Sequence, residues 1–232
     1  MFMPTRPEHI FQFLPINYPS PVEGEYVLFW WNTYIKNIEE ENYHVAFLAF
    51  HMLYMTAVYF LLYKISKKHR LPYEHSLFHM GNDDETHYLG INSAFSFSNM
   101  NERGVFRFLK IAGADHNLIG EVSRFIEDRN NAAHAKGAIF FKDDPDALEQ
   151  KAVEYVKALE KIQNLSIKES GKIAQSWKIS ALNESALRLY LEGEILANSF
   201  TPAEIREIAL SEATRRPKVA SVLDELVASH SA

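Results

Sequence analysis

The chain has 232 residues, of which 47% are hydrophobic and 13% aromatic, a composition that supports a folded core and excludes a disordered chain. It contains no cysteine, so disulfides, thiolate catalysis and cysteine-ligated zinc are excluded. The formal net charge of -6 argues against broad coating of nucleic acid, although it leaves room for a local basic patch. The N-terminal sequence lacks the basic-then-apolar order of a signal peptide, and we therefore expect a cytoplasmic protein.

The first hundred residues predict an arm, two helices and a loop region. Five prolines within residues 1–23 predict an extended N-terminal arm that lies on the body of the protein. Helical periodicity then dominates residues 25–40 and 42–69. It fades over residues 70–101, where we expect a long irregular connection with room for a short hairpin at residues 94–97.

One predicted helix contains a nearly continuous apolar run, residues 44–65, of about the length that spans a bilayer. His51 and Thr56 interrupt this run, and a helix that is apolar all round is equally typical of a central core or a dimer interface. We favour the core helix and expect no membrane contact. A single membrane span remains the alternative.

Capping residues mark the helices of the remaining chain. Asn101 predicts a helix that ends at Gly113, where glycine suits the left-handed position just past a helix. Asp115 predicts the start of the next helix, which we expect to run to about Lys136 and to stop at Gly137.

Two further helix starts complete the prediction of an all-α fold. Asp144-Pro145 begins a helix expected to reach about residue 164. Thr201-Pro202-Ala203-Glu204 has the pattern of a capping box with proline in the first turn. No series of strands is evident, so we predict a helical bundle. Its predicted parts are the arm (1–23), a helical domain (24–165) and a C-terminal helical extension (166–232).

The helix that follows Asp115 carries a charged residue on its apolar face. Its apolar stripe points toward Arg129, where an unpaired guanidinium would be costly to bury. Asn130 and His134, one turn apart, share a more polar face with Glu127. The alternative is that the helix leaves the core in its last two turns. Arg129 would then reach water, and His134 would be a surface residue favoured by the helix dipole.

The sequence Arg129-Asn130-Asn131-Ala132-Ala133-His134 resembles the Arg-x4-6-His motif of the HEPN superfamily of all-helical, usually dimeric, metal-independent ribonucleases. That superfamily includes toxins of toxin–antitoxin systems and phage-defence effectors. The residue after the arginine is typically polar in the family, as Asn130 is here. The same spacing recurs at Arg70 and His75, but Pro72 breaks that helix interior. Lys136 stands where one toxin subgroup has tyrosine, so the chain departs from that subgroup.

The resemblance implies an HEPN-type bundle, an RNA substrate, a homodimer, and an antitoxin or other regulatory protein as a partner. It implies His134 as general acid and base, Arg129 as the group that stabilises the phosphate in the transition state, and Asn130 as a supporting polar residue. Because residues five apart on a helix point about 140° away from each other, one copy forms a loose site. A symmetric dimer would pool two copies in one cleft.

An RNA substrate also requires positive surface near the site. The candidates for phosphate contact are Lys136, Lys67, Lys68 and Arg70. The alternative for each is that it is a solvated residue at a helix end, where positive charge is favoured without any ligand.

His75 and His79 lie one turn apart among several carboxylates, but they lack a recognised metal spacing, and we expect neither a metal nor a cofactor. The alternative function is a catalytically silent helical module that binds RNA, nucleotide or protein.

Overall fold

The computed structural model of the protein describes residues 7–134, 139, 141 and 144–230, the side chains of Ser166, Lys168, Glu169 and His230 excepted. Within these ranges the chain is helical and contains no strand, which confirms the predicted all-α class. The α-helices are α1 (Pro21–Glu39), α2 (Tyr43–Lys68), α3 (Arg70–Leu77), α4 (Asn82–Leu89), α5 (Glu102–Arg107), α6 (His116–Ala133), α7 (Pro145–Gln175), α8 (Glu184–Asn198), α9 (Pro202–Glu212) and α10 (Pro217–His230). Shorter 3-10 helices cover Pro7–Phe13, Ala94–Asn99 and Phe108–Ala112.

Helix α2 lies at the centre of the fold and packs against α1, α6 and α7. Among the described residues, α2 is the one helix that is long and apolar enough to cross a membrane. Its most apolar window is 83% buried inside the protein, and a buried core helix passes the same test of length and composition. The burial explains why α2 is apolar around its whole circumference, since it has neighbours on every side.

The buried apolar residues form two clusters. The first draws on residues between 10 and 162, and the second on residues between 174 and 227. The long helix α7 contributes to both, because it continues past the predicted end near residue 164 to Gln175. The predicted boundary at residue 165 falls inside α7, and the division into a domain and an extension stays a prediction.

Local capping signals placed several helix ends where the sequence predicted them. The Asp115 side chain accepts a hydrogen bond from the backbone N–H of Leu118 at 2.8 Å and caps α6. Thr201 and Glu204 form the reciprocal bonds of a capping box at the start of α9. Gly113 has a φ of 93°, the left-handed conformation expected of a glycine just past a helix. These predictions are confirmed, because each depends on contacts within one turn.

The segment between α2 and α5 is more ordered than predicted. Instead of an irregular connection with a hairpin, it forms α3, α4 and a 3-10 helix at Ala94–Asn99. Helices of eight residues are too short to show a clear period, but Tyr73 and Tyr88 anchor them in the core, and the Tyr73 hydroxyl donates to the Tyr88 carbonyl at 2.9 Å. The arm also differs from the predicted extended form, since Pro7–Phe13 is a 3-10 helix and α1 begins at Pro21, within the predicted arm.

A polar cavity between helices α5 and α6

Helices α5 and α6 pack side by side and border a polar, solvent-open cavity of about 380 Å³. The Asn101 side chain caps α5 by accepting from the backbone N–H of Gly104 at 2.8 Å, and this cap sets Glu102 at the first helical position. Arg129 and Asn130 reach the same cavity from the C-terminal part of α6. The cavity is lined by Tyr59, Ser98, Met100, Asn101, Glu102, Arg103, Ile126, Arg129 and Asn130.

Arg129 is neither unpaired nor free in solvent. Its guanidinium donates to Oε1 of Glu102, and the side chains of Arg129 and Glu102 are 27% and 15% exposed. The pairing resolves the conflict that the sequence posed, since the charge on the apolar face of α6 meets an opposite charge from α5. Glu102 lies 27 residues earlier in the chain, and sequence reasoning missed it as a site residue. The sequence does place Glu102 in the first turn of a helix, directly after the cap residue Asn101. Acidic residues are common there because they interact favourably with the helix dipole, so this position did not point to a site.

Behind Glu102 lies a histidine that sequence reasoning treated only as an interruption of an apolar run. His51 on α2 is fully buried, and its Nε2 atom faces Oε2 of Glu102 at 3.5 Å. This separation is slightly longer than a normal hydrogen bond. Within the described part of the chain, neither of these two atoms has another hydrogen-bond partner. His51, Glu102 and Arg129 therefore form a continuous line from the core to the cavity.

Tyr155 of α7 lies on the other side of the His51 ring. Its hydroxyl oxygen is 3.2 Å from Nδ1 of His51 and 3.1 Å from the backbone carbonyl oxygen of Phe125. Burial raises the pKa of Tyr155, so the hydroxyl keeps its proton at physiological pH. The phenol can therefore donate to the Phe125 carbonyl or, where Nδ1 of His51 carries no proton, to the His51 ring.

Burial and charge act in opposite directions along this line of residues. Burial lowers the pKa of His51, and the adjacent Glu102 carboxylate opposes that effect without overcoming it. Burial alone would raise the pKa of Glu102, but hydrogen bonds and charges from His51 and Arg129 outweigh it and lower the pKa. The resting state at neutral pH is therefore a neutral His51 beside an ionised Glu102 and a charged Arg129.

The structure places His134 differently from the prediction. Helix α6 ends at Ala133, not near Lys136, and His134 is its C-cap with extended backbone (φ -92°, ψ 142°). Its N–H still donates to the carbonyl oxygen of Asn130 at 3.0 Å. Because the helix has ended, His134 does not share a helical face with Asn130 as the sequence analysis expected. His134 is exposed, and it is not among the residues that line the cavity of Arg129 and Asn130.

Three of the predicted RNA-binding residues, Lys67, Lys68 and Arg70, are not among the residues that line this cavity. Lys67 donates to the Ile91 carbonyl at 3.3 Å, and Lys68 lies over the ring of Phe200. Arg70 pairs with Glu74 at 2.5 Å and lines a different cavity. Lys136 lies outside the described residues. These phosphate contacts stay predictions.

Among the residues whose placement is described, no group of three or more histidine, aspartate or glutamate side chains is arranged to hold a metal ion. Comparison of the chain with models of protein families, with curated proteins and with solved structures finds no match.

Proposed function

We propose that the protein is a metal-independent endoribonuclease of HEPN type that cleaves RNA at the cleft of a homodimer. We further propose that it acts in the cytoplasm, in phage defence or toxin-like growth arrest. One observation carries the proposal most directly. A half-buried arginine and an asparagine from the C-terminal part of α6 line a polar cavity, and an exposed histidine follows at the end of that helix.

Two of the three motif residues fit requirements of the reaction, and Asn130 supports them. The His134 side chains of two copies would serve as base and acid, and Arg129 would supply the cation. Cleavage without a metal needs a base for the 2′-hydroxyl, an acid for the leaving 5′-oxygen and a cation for the charge of the phosphorane. His134 is accessible to substrate and belongs to the residue type that exchanges protons near neutral pH. Arg129 offers a planar guanidinium at the cavity, and Asn130 offers an amide beside it. A regulatory protein or antitoxin would act by covering this cavity.

The proposed homodimer follows from the separation of these groups. Arg129 and Asn130 line one cavity, whereas His134 lies past the helix end and outside that lining. Two copies related by a twofold axis would bring the histidine of one copy to the cavity of the other. We expect a solution mass of twice 26.7 kDa by light scattering. Mixing inactive Arg129→Ala and His134→Ala variants should restore part of the cleavage, since one hybrid site keeps both residues. A strictly monomeric active enzyme would contradict the dimer.

Cleavage of total RNA in EDTA tests the proposed activity. We expect wild-type protein to cut RNA, and His134→Ala to reduce the rate by about 10²- to 10⁴-fold, the usual contribution of a general acid or base. His75→Ala is the matched control, because His75 is also exposed and also stands five residues after an arginine. It should leave cleavage unchanged. Intact RNA at high concentrations of wild-type protein would contradict the proposal.

A catalytically silent RNA-binding module is the second candidate. It is favoured by the pairing of Arg129 with Glu102, since a guanidinium held by a carboxylate is less available to stabilise the charge of a phosphorane. RNA that binds to wild-type protein but stays uncut, with His134→Ala binding equally well, would favour this candidate over the nuclease.

A further inference from the structure

The hydrogen bonds around His51 can be completed in two ways without movement of a heavy atom. In the neutral form, the Tyr155 hydroxyl donates to Nδ1 of His51, and Nε2–H points at Glu102. In the protonated form, Nδ1 carries a proton as well. The Tyr155 hydroxyl then turns, donates to the Phe125 carbonyl and accepts from Nδ1–H. Both acceptors lie within hydrogen-bond distance of the same hydroxyl oxygen, so rotation of one O–H bond accommodates the added proton.

The two forms give the cavity different charges. With a neutral His51, the positive charge of Arg129 is offset by the Glu102 carboxylate, and the three side chains together carry no net charge. With a protonated His51, the same three side chains carry one net positive charge. Since Glu102 and Arg129 line the cavity, that charge would act on an anion placed there at short range and in a partly desolvated setting.

We infer that Glu102 and His51 are positioning residues for Arg129, and that a proton taken up by His51 supplies the net positive charge that holds an RNA phosphate in the cavity. This inference rests on the proposed function and specifies how its phosphate site is controlled. Binding of the phosphate and of the proton would be coupled, because each stabilises the other.

The surroundings of His51 set the direction of this coupling. Burial keeps the pKa of His51 below its ordinary value of 6.5, so the ring is mostly neutral in the free site at neutral pH. A bound phosphate adds negative charge and raises that pKa, so binding draws a proton from solvent. The titratable and charged groups that face His51 are Tyr54 on α2, Glu102 on α5, Asp128 and Arg129 on α6, and Tyr155 on α7. Asp128 is itself paired with Lys151 at 3.2 Å.

The test measures binding of a short 2′-O-methyl oligoribonucleotide, which lacks the attacking hydroxyl and cannot be cleaved. Between about pH 8 and pH 5, the range over which histidines titrate, wild-type affinity should rise as the pH falls, by up to about tenfold per pH unit. Calorimetry in buffers of different ionisation enthalpy should show uptake of a proton on binding. The His51 ring should titrate by nuclear magnetic resonance in the free protein and shift to a higher pKa with the oligomer bound.

Two variants should bind the oligomer with an affinity that does not depend on pH, one of them tightly and the other weakly. In Glu102→Gln, the amide oxygen can accept from Arg129 and the amide nitrogen can donate to Nε2 of His51. The cavity then keeps the charge of Arg129 at every pH, so binding should be tight and independent of pH. In His51→Phe, the ring contacts with Tyr54 and Tyr155 can be kept, but no proton can be gained. Binding should then be weak and independent of pH.

Glu127→Gln is the matched control, because it removes the same charge from an exposed ion pair between the same two helices, 2.9 Å from Arg103. Its affinity for the oligomer should change with pH as steeply as that of the wild type. Wild-type binding without pH dependence, or a Glu102→Gln variant that keeps the slope, would overturn the inference and leave cleavage by His134 unaffected. Proton-linked binding by a wild-type protein that cuts no RNA would remove the nuclease and support the inference.

Discussion

Replacement of Lys64 by methionine is expected to destabilise the protein by about 3–5 kcal/mol, the usual penalty for leaving one member of a buried ion pair alone. The ammonium group of Lys64 lies 2.6 Å from Oε2 of Glu204, and the two side chains are 5% and 0% exposed. The pair joins α2 to α9, and the Ser170 hydroxyl of α7 donates to the other carboxylate oxygen at 2.9 Å. Loss of the ammonium group would therefore remove the cation in direct contact with a fully buried carboxylate.

Denaturant unfolding would measure this change in the free energy of unfolding. Lys36→Met is the control, because Lys36 pairs with Glu40 on the surface, and exposed pairs contribute less than about 1 kcal/mol. Burial alone would raise the pKa of Glu204, but Lys64 and the Thr201 backbone outweigh it and lower the pKa. The wild type therefore loses this stabilisation as the pH falls below the ordinary value of 4.5. The difference in the free energy of unfolding between the wild type and Lys64→Met should therefore become smaller in acid. Equal losses of stability in Lys64→Met and Lys36→Met at neutral pH would contradict the prediction.

Replacement of Arg129 by alanine is expected to reduce RNA cleavage by about 10²- to 10³-fold, the usual effect of removing one group that stabilises transition-state charge. It should also lower the free energy of unfolding by about 1–3 kcal/mol, because the Glu102 carboxylate loses its charged partner in a largely buried position. Single-turnover cleavage and denaturant unfolding would separate the two effects.

Arg124→Ala provides the control for that substitution. Arg124 lies on the same helix, five residues earlier, is exposed, and does not line the cavity. It should change neither cleavage nor stability appreciably. Addition of Glu102→Gln to Arg129→Ala should recover stability but not cleavage, since it removes the orphaned charge without restoring a cation. Full cleavage by Arg129→Ala would show that the guanidinium has no part in the reaction.

The confirmed predictions concern helix ends whose hydrogen bonds form between residues within one turn of each other. Asp115, Gly113 and the Thr201–Glu204 capping box are of this kind. Such signals recur along the chain, and for this reason the all-α fold could also be predicted. The end of α6 was harder to predict. Glycine at position 137 marked a plausible stop, but the helix ends at Ala133, and nothing in the spacing of apolar residues distinguished the two.

The partners of the site could not be read from the sequence, because they come from four different helices. Arg129 stood out as a charge on an apolar face, which correctly indicated that something must pair with it. Nothing local selected Glu102 from the other acidic residues of the chain. His51 looked like an irregularity in an apolar run until α5 and α7 placed Glu102 and Tyr155 on either side of its ring. Its burial and its two polar neighbours are tertiary features, which the spacing of residues along the chain does not show.

The chemistry of the RNA ends tests the proposed nuclease most directly. Wild-type protein incubated with a defined RNA in EDTA should leave 2′,3′-cyclic phosphate and 5′-hydroxyl ends, because the attacking nucleophile is the neighbouring 2′-hydroxyl and the leaving group is the 5′-oxygen. His134→Ala should cut the same RNA about 10²- to 10⁴-fold more slowly. Products with 3′-hydroxyl and 5′-phosphate ends, or cleavage by His134→Ala at the wild-type rate, would contradict the account.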